Sequence, residues 1–148
     1  MPNASDIMNT TLLTLDANTT LGDAIKQLVE HCHSAAPVMQ DGEMVGFVSE
    51  LELFDVLFDP DLRHRPVSEV METEMITVDE SEPLGHVAYL FALHQIRRLP
   101  VLRAGTPVGV VSRRDLLKYA SSCEQSLVDP LAELMPYMDE ELAIAGPC

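Results

Sequence analysis

Apolar residues along this chain switch between a spacing suited to strands and one suited to helices, and the switching occurs twice in the same order. Residues 12–15 predict a strand. Thr20 stands three residues before Asp23, a variant of the capping box in which side chains satisfy the unpaired N–H groups of a helix start. Leu21, Ala24, Ile25, Leu28 and Val29 then follow i, i+3, i+4 spacing, which places them on one helical face. A strand over 37–40, a tight turn at Asp41-Gly42 and a strand over 44–49 read as a hairpin, because Asp-Gly tolerates the positive φ that two-residue turns demand. A helix over 50–57 closes the unit.

The second round repeats the first. Residues 75–78 predict a strand. Ser81 precedes Pro83, and proline suits the first turn of a helix. Leu84, Val87, Ala88, Phe91 and Ala92 carry the apolar face, strands 100–103 and 107–112 flank Ala104-Gly105, and a helix over 113–120 follows. A shift of 63 residues superposes the copies without a gap from Ala4 to Phe54. Ser5-Asp6-Ile7-Met8 falls on Ser68-Glu69-Val70-Met71, Leu21-Gly22 on Leu84-Gly85, Pro37-Val38 on Pro100-Val101, and Val45-Gly46 on Val108-Gly109. Glycine and proline in phase over that length imply two copies of one β-α-β-β-α fold. A unit of about 60 residues buries too little surface to be robust alone, so the two are expected to pack and share a core. The expected division is 1–62, 63–120 and an acidic extension over 121–148. Met8 and Met71, matched across copies, are expected to be packing residues.

Charge narrows the function classes. A net charge of −15 opposes binding to nucleic acid or to an anionic membrane surface. The three cysteines, Cys32, Cys123 and Cys148, form no CxxC pair, so free thiols in a reducing compartment are expected. The N-terminus lacks the basic and apolar regions of a signal peptide, and no apolar run approaches a membrane span. A soluble, cytoplasmic protein is expected. His31-Cys32-His33 has the composition of a metal cluster, but neighbours one and two apart do not share a helix face; no metal is expected. Phosphate-loop, nucleophile-elbow, HExxH and paired-carboxylate motifs are absent, so no enzymatic activity is expected.

The charge is also uneven. Residues 97–118 hold six bases (Arg97, Arg98, Arg103, Arg113, Arg114 and Lys118) against one acid, Asp115, whereas the matching window 34–55 holds five acids and no base. Arginines gathered in an acidic chain suit an anion, since guanidinium meets phosphate bidentately. Pairing with acids of the other copy or of a second subunit is the alternative use. The stretch from 121 to 148 has six acids and no base. Within it Leu127, Leu131, Leu134 and Met135 suggest one face of a short helix, a docking segment, a dimer strap or a loose tail.

The ordered set of Ser-x-(Ile/Val)-Met, strand, amphipathic helix, Pro-Val strand, glycine turn and Val-Gly-x-Val-Ser followed by an acid three residues on resembles the CBS domain family over roughly residues 4–120. The resemblance implies an α+β (α/β-type) fold of two tandem CBS domains, a Bateman module with a pseudo-twofold axis, nucleotide clefts on either side of that axis, and a homodimer. Gly109-Val110-Val111-Ser112-Arg113-Arg114-Asp115 resembles the family's ribose-binding signature. A carboxylate accepts from two vicinal hydroxyls, the Ser112 hydroxyl reaches sugar or phosphate, and Gly109 is expected to admit the ligand closely. Asp115 in a first helical turn is equally accounted for as a cap favoured by the helix dipole. Arg97 and Arg98 resemble the segment that reaches phosphates, and Arg113 adds a third cation. An adenine base would be expected against Ile76, Thr77 and Pro100. In the first copy Thr14, Pro37, Ser49 and Glu52 form a weaker second site; Glu52 replaces the aspartate, Ser34 and Ala35 replace the arginines, and a neutral or cationic ligand is expected there if any.

The expected ligand is an adenine nucleotide or adenosyl compound: AMP, ADP, ATP, NAD or S-adenosylmethionine. The expected role is regulatory, exerted in trans on an unidentified protein partner. The alternative is a non-enzymatic interaction or scaffold protein with vestigial ligand sites.

Overall fold

The computed structural model describes residues 2–122. Predictions placed on Cys123, Cys148, Leu127, Leu131, Leu134 and Met135 lie outside the described residues. The elements are α1 (Ala4–Ile7), β1 (Leu15–Asp16), α2 (Leu21–Glu30), β2 (Ala35–Gln40), β3 (Glu43–Ser49), α3 (Glu50–Leu53), β4 (Val78–Asp79), α4 (Leu84–His94), β5 (Arg98–Arg103), β6 (Thr106–Ser112) and α5 (Arg113–Ser122), with 3-10 turns at Phe54–Leu57, Pro60–His64 and Val67–Glu69. There are two three-stranded sheets, ordered β1-β2-β3 and β4-β5-β6. The mixed α/β architecture is the expected one: each copy runs β-α-β-β-α.

The chain forms two compact units, and their limits interleave along the sequence. One takes residues 11–76 and 103–108; the other takes 2–10, 77–102 and 109–122 of the described chain.

In the first of these units, β1 runs parallel to β2, with Leu15 beside Val38, and β2 runs antiparallel to β3, with Ala35 beside Ser49. Parallel strands need a crossover, and α2 supplies it. Thr20 caps α2 as expected, its Oγ1 accepting from the Asp23 N–H at 3.2 Å. Leu21, Ala24 and Leu28 from α2 join Leu15, Ala36, Val38, Val48, Leu53, Val56 and Val67 in one apolar core. Val29, predicted on the buried face, is exposed. The hairpin turn has Asp41 at φ 52° and Gly42 at φ 81°, the left-handed geometry that Asp-Gly permits.

The other unit repeats the plan: β4 is parallel to β5, with Val78 beside Val101. Leu84, Val87, Phe91, Leu99, Val101 and Val111 are buried. The turn of the second copy, whose residues 103–108 group with the first of these units, has Ala104 at φ 51° and Gly105 at φ 83°.

Several local predictions change. The first strand of each copy is shorter and later than expected, Leu15–Asp16 and Val78–Asp79, because the parallel partner strand is engaged only there. The helix predicted over 50–57 breaks after Leu53 into a 3-10 turn. Pro83 is the N-cap of α4, not its first helical residue. Ser81 instead donates to Asp79 Oδ1 from its N–H at 3.0 Å and its hydroxyl at 2.6 Å, closing the turn after β4.

The placement of residues 2–10 and 63–76 has a specific cause. The segment ahead of the first copy belongs to the unit of the second: the Asn9 N–H donates to Val110 O at 2.9 Å, Val110 returns the bond at 3.1 Å, and the Ala4 N–H donates to Glu82 O at 2.9 Å. The segment ahead of the second copy does the reverse, with Phe47 and Glu72 exchanging bonds of 2.9 and 2.8 Å and the Val67 N–H donating to Thr19 O at 2.8 Å. Each copy is completed by the other's leader.

Candidate functional site

The junction of β6 and α5 holds the residues singled out in the second copy. The Ser112 N–H donates to Asp115 Oδ2 at 2.8 Å and its hydroxyl donates to the same oxygen at 2.9 Å, while Ser112 Oγ accepts from the Asp115 N–H at 3.3 Å. This is a reciprocal cap on the first turn of α5. All these bonds to the carboxylate fall on Oδ2; Oδ1 accepts nothing from the described residues. Asp115 and Ser112 are half-buried. The cap therefore fixes the carboxylate's direction and leaves one oxygen available for a hydroxyl donor.

Arg113 and Arg97 are exposed, and neither forms an ion pair with a described residue. Arg98, half-buried, opens β5, the neighbour of β6. One step back along the β4–β5 register from the Val78–Val101 pair sets Thr77, half-buried, opposite Pro100. Pro100 is fully buried. Ile76, half-buried, is counted with the other unit.

The first copy has the same local construction. The Ser49 N–H donates to Glu52 Oε2 at 2.8 Å, and the Ser49 hydroxyl bonds the same oxygen. The extra methylene of Glu52 is thus absorbed without loss of the cap. Thr14 is exposed at the step before β1, and Pro37, opposite it in the register, is fully buried like Pro100. No arginine stands here: Ser34 and Ala35 occupy those positions, and Glu50 is exposed beside the junction.

Gly109 and Gly46 each have a packing role. A Cβ at Gly109 would lie 2.7 Å from Met8 Cγ, and one at Gly46 would lie 2.7 Å from Met71 Cγ. Each glycine admits the methionine of a leader segment. Sequence spacing offered no link between Met8 and Gly109; the match of Met8 with Met71 indicated packing without naming the surface packed. At the end of α2, His31 Nδ1 lies 2.9 Å from Gln27 O. Among the described residues no group of three potential metal ligands converges, and no helix is long and apolar enough to cross a membrane.

Comparison with known proteins agrees with this architecture. The CBS domain model matches residues 4–59 and 67–122. The chain belongs to the CBS domain family and carries a tandem pair of its domains. It is 32% identical over 120 residues to the CBS domain-containing protein YhcV of Bacillus subtilis, covering 78% of this chain and 84% of that protein. The crystal structure of CBSX2 in complex with AMP is 25% identical, with a TM-score of 0.73 over 84% of this chain and all of that one. The CBS domain pair of protein MJ0100, crystallised with 5′-methylthioadenosine and S-adenosyl-L-methionine, shares the fold at a TM-score of 0.71 and 24% identity, covering 82% of this chain and 98% of that one.

Proposed function

We propose that the chain is a regulatory module that binds an adenine nucleotide at the β6–α5 junction and passes the signal to a partner protein in the cytoplasm. In this reading Asp115 Oδ1 accepts from a ribose hydroxyl, the Ser112 hydroxyl meets sugar or phosphate, Arg97, Arg98 and Arg113 neutralise the phosphates, and the backbone at Thr77 reads the adenine edge. The observation that carries it is the Asp115 carboxylate: aimed by Ser112 through Oδ2, with Oδ1 accepting no bond from the described residues and with Arg113, two positions away in sequence, in no ion pair with them. The AMP complex of CBSX2, a protein of similar fold, supports an adenosine ligand. The first-copy site, with Glu52, Ser49 and Thr14, lacks phosphate-binding cations and takes at most a neutral or cationic adenosyl group. Ligand shifts the module's conformation only by its differential affinity for two states.

Isothermal titration with AMP, ADP, ATP, NAD and S-adenosylmethionine tests this. One phosphate-bearing site per chain is expected. Two equal nucleotide sites, or turnover of a nucleotide lost in Asp115→Ala, would overturn it. A second reading rests on one observation: Asp115 and Glu52 both serve as caps, which needs no ligand. No binding of any of the five compounds would establish that reading, an interaction protein with vestigial sites.

A further inference from the structure

The ligand contacts assigned to the second copy come from two elements on opposite edges of its sheet. Thr77 lies one residue before β4, Ser112 ends β6, and β5 stands between those strands. β4 is two residues long and pairs with β5. A ligand that touches Thr77, Ser112 and Asp115 therefore spans both edges. The leader ahead of the first copy spans them too.

This leader, residues 2–10, belongs to the same compact unit as residues 77–102 and 109–122. At one end it holds the turn after β4 and the start of α4. The Ala4 N–H donates to Glu82 O at 2.9 Å, the Ser5 N–H donates to Glu80 O at 3.0 Å, and the Leu84 N–H donates to Pro2 O at 3.2 Å. Ala4 is fully buried. At its other end the leader holds β6. Asn9 and Val110 exchange backbone bonds, and Met8 Sδ fills the space beside Gly109. Val110 precedes Ser112 by two residues, so both lie on one face of β6.

We infer that Met8 and Asn9 are positioning residues for the nucleotide site, and that docking of the leader sets the site's affinity; the inference rests on the adenine-nucleotide reading of Asp115. Two clamps that join the same pair of elements assist each other. Once the leader fixes the β4 end relative to β6, less ordering remains for the ligand to impose. The linkage is reciprocal, so bound nucleotide tightens the leader by the same factor. The leader ahead of the second copy supplies the contrast. Met71 packs on Gly46, and Glu72 exchanges backbone bonds with Phe47, so these two residues hold β3 and not β6.

Two measurements on the full chain test it. Calorimetric titration with AMP and with ATP compares Met8→Ala with Met71→Ala. Each variant removes one methionine from one glycine, and the two are expected to lower the ligand-free Tm by similar amounts. Met8→Ala is expected to raise the nucleotide Kd about fivefold or more, the scale of a typical coupling between sites, and Met71→Ala to leave it unchanged. Hydrogen exchange on the unsubstituted chain needs no variant. Saturating nucleotide is expected to slow exchange of the Asn9 amide about fivefold or more beyond any slowing at the Glu72 amide, because the leader opens locally. An unchanged Kd in Met8→Ala, equal rises in the two variants, or equal slowing at Asn9 and Glu72 would overturn the inference, while binding that is lost in Asp115→Ala leaves the nucleotide reading in place. Failure of the unsubstituted chain to bind either nucleotide overturns both.

Discussion

Replacing Asp115 by alanine separates a cap from a ligand contact, because the first copy carries an internal control. Asp115 accepts bonds of 2.8 and 2.9 Å from the Ser112 N–H and hydroxyl; Glu52 accepts the corresponding bonds from Ser49. Loss of such a cap costs about 0.5–2 kcal/mol. At this chain length that is a fall of about 2–8 °C in Tm. Asp115→Ala and Glu52→Ala are therefore expected to destabilise the ligand-free protein by similar amounts. A nucleotide at about 100 times its Kd adds about 2.7 kcal/mol to the wild type. Glu52→Ala should keep that increment, and Asp115→Ala should lose it. Differential scanning calorimetry with and without AMP reads both quantities, and suits a chain without tryptophan. If Asp115→Ala loses stability but keeps the full AMP increment, the carboxylate is a cap alone. If both variants lose the increment equally, the two copies do not differ as argued.

Three further outcomes follow from the geometry. Gly109→Ala and Gly46→Ala each force a Cβ to within 2.7 Å of methionine Cγ and should cost about 1–3 kcal/mol in urea titration, with Met8→Ala relieving the first and not the second. Asp79 is held below the ordinary carboxylate range by the Ser81 hydroxyl and then the Ser81 N–H; Ser81→Ala should raise its pKa in an NMR titration. Since the folded value is depressed, any stability gained from this bond is present above the unfolded pKa and lost as pH falls through the folded one. Ala104 sits at φ 51°, a left-handed conformation that asparagine tolerates better than alanine, so Ala104→Asn should stabilise by about 0.5–1 kcal/mol, measured by thermal melting.

The repeat, the order of elements in each copy and the hairpin turns are legible in the chain alone. Those features depend on local chemistry: apolar spacing selects helix or strand, Thr20 caps α2, and Asp41-Gly42 takes positive φ whatever surrounds it. The pairing of Ser112 with Asp115 is also local, three residues apart, which is why it was legible both as a cap and as a candidate site. Val29 and the break after Leu53 differ from the pattern because a one-dimensional spacing records that a side chain is apolar, not whether anything arrives to cover it.

Tertiary structure alone decided which leader completes which copy. Met8 precedes the first copy yet fills the space at Gly109, and Met71 precedes the second yet fills the space at Gly46. The 63-residue match links methionine to methionine and glycine to glycine, and either pairing of leader with copy satisfies it equally. The choice lies in long-range backbone bonds, Asn9 with Val110 and Phe47 with Glu72, and such bonds leave no periodicity in the chain that makes them. The burial of Pro37 and Pro100 is of the same kind: the proline is visible in the sequence, but what covers it is fixed by packing.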